Sequence, residues 1–190
     1  MSASIILLIV LVVLALYFIA LYNGLVSKRV ATQNAWSQID VQLKRRHDLI
    51  PNLIEVVKGY AKHERETLEK VIQARNSAVS AGSQGVKEQA AAEGMLSGAL
   101  RQLFAVAEAY PDLKANQNFL SLQEELTATE NRISFARQHY NDSVGVYNTA
   151  IQSIPANFVA GMANFTAKDF FELDAAEAQA VKQVPKVLFS

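Results

Sequence analysis

The sequence predicts an all-α protein in which an N-terminal transmembrane helix leads into an antiparallel four-helix bundle of long helices, with an irregular C-terminal tail. An uncharged apolar run opens the chain, and apolar residues then recur every three or four positions over long segments. Only four prolines and eight glycines interrupt the 190 residues. Because steps of three and four follow one helix face, and no long segment alternates with period two, we expect helices rather than strands.

The opening run has the length and composition of a membrane anchor. Residues 3–21 carry no charge, and fourteen of the seventeen residues from Ile5 to Leu21 are Ile, Leu, Val or Phe. As a helix the run is roughly 28 Å long, close to the ~30 Å hydrocarbon core of a bilayer. The anchor residues that we single out are Ile5, Leu8, Val12, Leu16 and Leu21.

We expect this anchor to be retained rather than cleaved. A secretory signal has basic residues before its apolar core and small residues at a cleavage site after it. Residues 1–4 contain neither Lys nor Arg, and the run ends in Ala20-Leu21-Tyr22-Asn23. Lys28 and Arg29 follow the run with no charged side chain before it, which predicts a cytoplasmic C-terminal domain.

The first two soluble helices are predicted from their apolar faces. Little except Gly24 interrupts the pattern after the anchor, so the anchor is expected to continue into the domain as a stalk. Pro51 is predicted to end or kink this first helix. A second helix is then expected to about Val79, before a loop at residues 80–85. The inward face of the first helix is Trp36, Ile39, Leu43 and Ile50.

The third and fourth helices follow the loop. The third starts at Val86 and breaks at Tyr110-Pro111-Asp112. The fourth carries the longest seam, typical of helix bundles. Its seam residues are Phe119, Leu122, Leu126, Thr129, Ile133, Ala136 and Tyr140. We therefore divide the chain into an anchor (residues 1–22), a bundle (23–155) and a tail (156–190), with a short helix from Ala156 to Met162 and an extended segment at Val184–Phe189.

Composition and motifs argue against most kinds of chemistry. Eighteen basic residues balance eighteen acidic ones, so no electrostatic case for nucleic acid arises. None of the three histidines has Glu three positions earlier, and His63-Glu64 lacks a second histidine at position 67, which is Thr67. The chain has no Cys, and the glycines around Ser97 do not form a nucleophile elbow. We expect no catalytic residues, no cofactor and no metal.

Two residue sets remain as candidate sites. Several polar residues lie near the apolar seams, and we expect most of them to be solvated or structural: Asp40, Arg45, Arg46, Glu64, Arg75, Glu130, Arg137, Asn141 and Asn148. Four of these are suited to ion pairs inside the bundle that set helix register: Asp40, Arg46, Glu130 and Arg137. A possible interaction surface, which either packs on the bundle or contacts a second copy, is Phe165, Phe170, Phe171 and Phe189.

A series of short strings, taken in order, resembles a known family. They are Tyr22-Asn23-Gly24-Leu25-Val26, Trp36-Ser37-Gln38-Ile39-Asp40, Asp48-Leu49-Ile50-Pro51-Asn52-Leu53, Tyr60-Ala61-Lys62-His63-Glu64, Tyr110-Pro111-Asp112-Leu113-Lys114, Thr129-Glu130-Asn131, Ala136-Arg137, Tyr140-Asn141 and Tyr147-Asn148. Their joint occurrence resembles the LemA family of bacterial membrane proteins, from about Tyr22 to Phe171. The resemblance implies a single-pass protein of the bacterial inner membrane with a soluble helical bundle and no established enzymatic activity.

Function is expected to follow from binding. Relatives of the family include a magnetosome-membrane protein, and members occur beside an HtpX-type membrane metallopeptidase or TPM-domain proteins. We therefore expect a non-enzymatic scaffold at the membrane, forming a homo-oligomer. The alternative is an accessory or adaptor for a membrane protease or envelope stress system. A metal-binding or enzymatic bundle and a membrane-remodelling protein are further alternatives.

Overall fold

The structure, a computed structural model, describes residues 3–61 and 63–172. These residues form the helices α1 (Ala3–Tyr60), α2 (Arg65–Ala81), α3 (Val86–Ala107), α4 (Pro111–Lys114), α5 (Gln117–Gln152) and α6 (Ala156–Met162). No β-strand occurs in the part of the chain that the structure describes. The predicted all-α class is therefore confirmed. The extended segment expected at Val184–Phe189 lies outside the described residues.

The chain divides into two compact units. The first unit contains the described residues up to Ile39 together with Ala136–Asp169, and the second is built on Asp40–Phe135. The core of the first unit draws on α1, α5, α6 and the segment after α6: Leu25, Tyr147, Ile151, Val159, Ala160 and Phe165. The expected boundary between bundle and tail at Pro155 stays a prediction, while the structure groups Ala156–Asp169 with the end of α5.

Among the residues that the structure describes, one helical segment is long and apolar enough to cross a membrane, and it is the N-terminal part of α1. Its best 18-residue window has a mean hydropathy of 3.2, and 0% of that window is buried. The anchor residues Ile5, Leu8, Val12 and Leu16 are exposed, whereas Leu21 is half-buried against the first unit's core. The helix continues past Gly24 without a break, as the sequence predicts, and Leu25 directly after it is buried in the first unit's core.

The sequence predicts that Pro51 ends or kinks the first helix. The helix does not end there, because α1 runs through Pro51 to Tyr60. Proline in a helix interior costs about 3 kcal/mol, since it removes one backbone hydrogen bond and crowds the preceding turn. Ile50, Leu53 and Val57 around it are each at most 1% exposed. Because full burial of such a side chain contributes roughly 1.5–3 kcal/mol, tertiary packing of this stretch outweighs the cost.

The expected second helix is instead interrupted before Arg65. Ala61, His63 and Glu64 are not helical, and α2 occupies only Arg65–Ala81. From Ala61 to Thr67 the sequence has a single apolar residue, Ala61, which is buried in the core, so no apolar face continues the helix through this stretch. The apolar faces of α1 and α2 on either side of the interruption pack in one core.

The core of the second unit takes side chains from the last turns of α1, from α2, α3 and α4, and from the start of α5. Leu53, Val71, Leu96, Leu103 and Leu113 are completely buried in it. The loop expected at residues 80–85 lies between α2 and α3, and Gly85 there has a φ of 139°. This backbone conformation is strained for a residue with a Cβ, which explains a glycine at this turn. The predicted short helix is α6.

Candidate functional site

A group of polar side chains surrounds the buried Arg46 in the second unit; we call Arg46, His47, Glu93, Ser97 and Glu130 the Arg46 cluster. Arg46 is only 1% exposed and forms an ion pair with the Glu93 carboxylate. Its Nη1 also donates to Glu130 Oε2 at 2.6 Å and to Ser97 Oγ at 2.9 Å. His47 Nε2 donates to the other Glu93 oxygen, Oε1, at 2.8 Å. The cluster thereby links α1, α3 and α5.

The electrostatics of the cluster favour an ionised Glu93. Burial disfavours the carboxylate, but the hydrogen bond from His47 and the positive charge of Arg46 outweigh it, so the pKa of Glu93 lies below its ordinary value of 4.5. The planar guanidinium of Arg46 suits this position because it presents several donors to two carboxylates at once. Each buried charge is thus matched by an opposite one.

The cluster is built for structure rather than for chemistry on a substrate. Arg46 and Glu93 are 1% and 3% exposed. The Arg46 Nη groups and the Glu93 carboxylate bond each other and neighbouring side chains, while Arg46 Nε has no hydrogen-bond partner among the described residues. Among residues 3–61 and 63–172, no three His, Asp or Glu side chains gather in a way that could hold a metal ion. The cluster can fix the register of three helices; Arg46 and Glu93 are enclosed, while the Glu130 side chain is 52% exposed.

Only two of the four residues of the expected polar network contact each other in the structure. Arg46 and Glu130 are in direct contact. Asp40 is exposed on α1, and Arg137 is partly buried in the first unit. Arg45, from the wider set, lies 3.5 Å from Glu125 at the surface. The structure therefore brings together one pair of the four, around a carboxylate that the sequence reasoning did not select.

A second polar arrangement fastens the segment after α6 to α5; we call residues 166–169 the strap. Tyr147 donates its hydroxyl to the Thr166 carbonyl, and Tyr140 donates to the Asp169 carbonyl, each at 2.9 Å. Asn148 donates Nδ2–H to the Lys168 carbonyl and accepts from the Lys168 N–H, also at 2.9 Å. Burial and the nearby Asp169 carboxylate raise the pKa of Tyr140, which keeps its hydroxyl a donor.

The strap is extended, because its few residues cover the same distance as a longer stretch of the helix α5. Seven helical residues from Tyr140 to Tyr147 span roughly 10.5 Å at 1.5 Å each. Three residues from Thr166 to Asp169 span about 10 Å only when extended. The strap therefore runs back along α5 in an extended form. In a β-sheet, the backbone polar groups of an extended segment bond a neighbouring strand. Here side chains of α5 bond four backbone groups of the strap instead.

The aromatic residues expected to form an interaction surface are mostly inside the protein. Phe165 is 8% exposed, packs edge-on against Tyr22 at 5.7 Å, and has the Arg29 guanidinium 4.8 Å from its ring centre. Phe171 is 2% exposed, while Phe170 retains 39% exposure. Phe165 and Phe171 are therefore not available as a surface, because the chain itself covers them. Phe189 lies outside the described residues.

Two of the strings that carry the resemblance meet at the helix breaks of the second unit. Tyr110 donates its hydroxyl to Glu64 Oε1 at 3.0 Å, and Asn116 donates to the Tyr60 hydroxyl at 2.9 Å. These bonds join the break after α1 to the segment around α4. The hydrogen bond to the Glu64 carboxylate, together with burial, raises the pKa of Tyr110. These polar residues therefore have a structural role.

The sequence analysis does not select Glu93, His47 or Ser97 as members of a polar cluster. For Glu93, however, the helical spacing indicates a buried position. Glu93 lies three residues before Leu96 and seven before Leu100, so it shares the inward face of α3. A carboxylate on a buried face requires a cation, and Arg46 was already a candidate. The Ala-rich composition of early α3 concealed this position.

Comparison with known proteins gives consistent matches. The sequence profile of the LemA family matches residues 35–189. The chain is 26% identical to magnetosome protein MamQ 2 of Paramagnetospirillum magneticum over 175 residues, which cover 80% of this chain and 64% of that protein. It is 31% identical to Protein LemA of Metamycoplasma hominis over 140 residues, 73% of this chain and 63% of that protein. The chain thus spans just under two thirds of the length of these relatives.

Proposed function

The chain belongs to the LemA family, and we propose that it is a non-catalytic scaffold, anchored in the bacterial inner membrane by α1, that works by associating with further copies of itself. In this proposal the soluble part is an antiparallel four-helix bundle on the cytoplasmic side. The family assignment supports a membrane-associated protein without catalysis, since neither LemA nor MamQ is an enzyme name. Self-association is the part that experiment must decide.

One observation carries the proposal. The apolar window of α1 has 0% of its residues buried within the chain, and its helix continues unbroken into the core of the second unit, where Ile50 and Leu53 are fully buried. An apolar helix of this length that the described part of the chain leaves uncovered is stable when lipid covers it. The same helix then supplies the soluble part with one of its core faces.

The bundle arrangement is supported by the number of helices that contribute side chains to the core of the second unit. Its buried side chains come from α1, α2, α3 and α5, and α2 is joined to α3 by only residues 82–85. Short connections make consecutive helices antiparallel neighbours. The Arg46 cluster ties α1, α3 and α5 across the same core, which favours a single register.

Self-association is best tested in lipid with the full chain. Because the native sequence has no Cys, Ser83→Cys in the exposed loop gives a single site for a fluorophore. We expect two or more photobleaching steps per complex in native-lipid particles at low protein-to-lipid ratio. Single-step bleaching throughout contradicts a self-associating scaffold. A monomer that co-purifies with a membrane protease would favour the adaptor instead.

The side of the membrane is tested with a pair of variants. Ser4→Cys places a thiol before the apolar run of α1, and Ser83→Cys places one in the loop between α2 and α3, on the other side of the proposed span. With the bundle in the cytoplasm, a membrane-impermeant maleimide labels Ser4→Cys in cells whose outer membrane is opened, and labels Ser83→Cys only after the inner membrane is lysed. The reverse pattern contradicts the proposed orientation.

A further inference from the structure

Three large apolar side chains of the first unit project into solvent around α6. Ile154 is 80% exposed, Phe158 62% and Met162 87%. Phe158 and Met162 are four residues apart within α6 and so share a helix face, and Ile154 lies in the turn directly before it. We call these three residues the α6 stripe. Solvent-exposed Phe, Ile and Met at this spacing form an apolar surface that residues 3–61 and 63–172 leave uncovered.

The opposite side of α6 packs at the point where α1 leaves its apolar run. Val159 and Ala160 share a core with Leu25, and Leu21 packs against that core. A groove of about 430 Å³ lies between the same two segments. It is lined by Tyr17, Ala20, Leu21, Gly24, Leu25 and Lys28 of α1 and by Ala150, Ser153 and Ala156. The α6 stripe is therefore held beside the last turns of the candidate membrane span.

The charge pattern of both segments is that of a membrane boundary. Residues 2–27 contain no charged residue, and neither do the 25 residues from 143 to 167. The first charges after these stretches are cations, Lys28 and Arg29 after the first and Lys168 after the second. Surfaces that face water usually carry about 25–35% charged residues, so charge-free stretches of this length are unusual for water, and the part around α6, beside the end of the candidate span, is suited to lipid. Asp142, which precedes the second stretch, is ten residues or about 15 Å along α5 from Gln152, its last residue.

We propose that the α6 stripe enters the headgroup and acyl boundary of the bilayer beside α1, so that the protein holds the membrane at two adjoining places. Ile154, Phe158 and Met162 would contact acyl chains. Interfacial apolar faces of this kind reach about 5–10 Å into the boundary, and binding strength grows with the apolar area buried. The nearby cations are placed for lipid phosphates. The proposal requires α1 to span the membrane, and it does not require self-association.

The depth of the stripe is measured in the full chain reconstituted in phosphatidylethanolamine–phosphatidylglycerol vesicles. Phe158→Cys and Met162→Cys each receive a nitroxide, with Val146→Cys as the matched control. Val146 is an apolar residue of the same unit, 58% exposed, and lies six residues or about 9 Å before Gln152, the last residue of α5. We expect the ratio of collision rates with oxygen and with a nickel chelate to be several-fold higher at positions 158 and 162 than at 146.

A second variant tests whether the stripe acts as a unit. Phe158→Ser in the Met162→Cys background removes an apolar group that the fold does not bury, so circular dichroism and the melting temperature should not change. Insertion predicts that the nitroxide at 162 becomes several-fold more accessible to the nickel chelate. Unchanged accessibility overturns the proposal.

Two further outcomes would also overturn it. Equal access of the chelate to positions 158 and 146 would place the stripe in water. Shielding from both oxygen and chelate, with dipolar broadening between labels, would show that a second copy covers the stripe. The measurement uses about one protein per vesicle. At that dilution, failure of self-association leaves the depth result unaffected, and the two proposals fail independently.

Discussion

The Nε of Arg75 donates a hydrogen bond to the backbone carbonyl of His47 at 3.2 Å. That carbonyl is the one whose helical donor would be the N–H of residue 51, which proline lacks. A side chain from α2 therefore replaces the missing backbone donor of α1. This contact gives a physical reason for an uninterrupted helix through Pro51.

Removing that donor should destabilise the protein. Arg75→Ala leaves the His47 carbonyl without its partner, and we expect the free energy of unfolding to fall by about 1–2 kcal/mol, the range for a partly buried bond from a charged donor. Denaturant titration of the detergent-solubilised full chain measures it. Arg65→Ala removes an exposed i,i+4 ion pair with Glu69 and should leave stability close to unchanged. Equal effects of the two substitutions would contradict the role of Arg75.

The link between Arg75 and Pro51 can be isolated with a double-mutant cycle. Pro51→Ala restores a backbone N–H to the His47 carbonyl, so the cost of Arg75→Ala should shrink in that background. Pro51→Ala alone should stabilise the protein, by up to about 3 kcal/mol. The free energies of unfolding of the wild type, the two single variants and the double variant give the coupling. An Arg75→Ala cost that is the same in both backgrounds would refute the replacement of donors.

Neutralising the buried carboxylate of the Arg46 cluster should be costly. Glu93→Gln removes the charge that balances Arg46, which is 1% exposed, and we expect a loss of about 2–4 kcal/mol in the free energy of unfolding. Thermal and denaturant unfolding measure it. Glu66→Gln, at an exposed pair with Lys70, is the matched control and should change stability little. A Glu93→Gln protein as stable as the control would mean that Arg46 does not need its partner.

The same carboxylate predicts a pH dependence. Its pKa in the folded protein lies below its ordinary value of 4.5, so in the interval between the two values the unfolded chain binds the additional proton. The contribution of Glu93 to stability is complete above the ordinary value and is lost as pH falls through the folded pKa. Denaturant titrations from about pH 5.5 to pH 3 should show a shallower loss of stability in Glu93→Gln than in the wild type. Identical slopes would contradict the lowered pKa.

The strap should loosen when its central contact is removed. Asn148→Ala takes away both hydrogen bonds to the Lys168 backbone, and we expect the Lys168 amide to exchange with solvent about tenfold faster or more. Hydrogen–deuterium exchange resolved by residue measures it. Gln152→Ala is the control, because Gln152 bonds only the carbonyl of Asn148 one turn earlier. Unchanged exchange at Lys168 would show that Asn148 does not hold the strap.

The sequence was informative wherever local chemistry determines structure. The apolar stripes predicted helices, the small residues around Gly82 and Gly85 predicted the loop before α3, and the segment after Pro155 was recognised as the short helix α6. Pro51 was misjudged because its compensation is not local. The guanidinium that replaces the missing donor belongs to Arg75, 24 positions later and in another helix.

The candidate site was predictable only in part, for a related reason. Arg46 and Glu130 were recognisable as charges close to apolar seams, and the structure brings them into contact. Which of them is deeply buried depends on how three helices align. That alignment places Glu93, rather than Asp40, beside Arg46. The periodicity within one helix shows on which face a charged residue lies, but it does not show which residue of another helix it pairs with.

The strap also sets where the chain can be shortened for crystallisation. A fragment that stops at Pro155 would keep Tyr147 and Asn148 but delete the backbone groups they bind, and it would remove Val159 and Phe165 from the core around Leu25. Recombinant fragments should therefore extend at least to Asp169, whose carbonyl receives the Tyr140 hydroxyl.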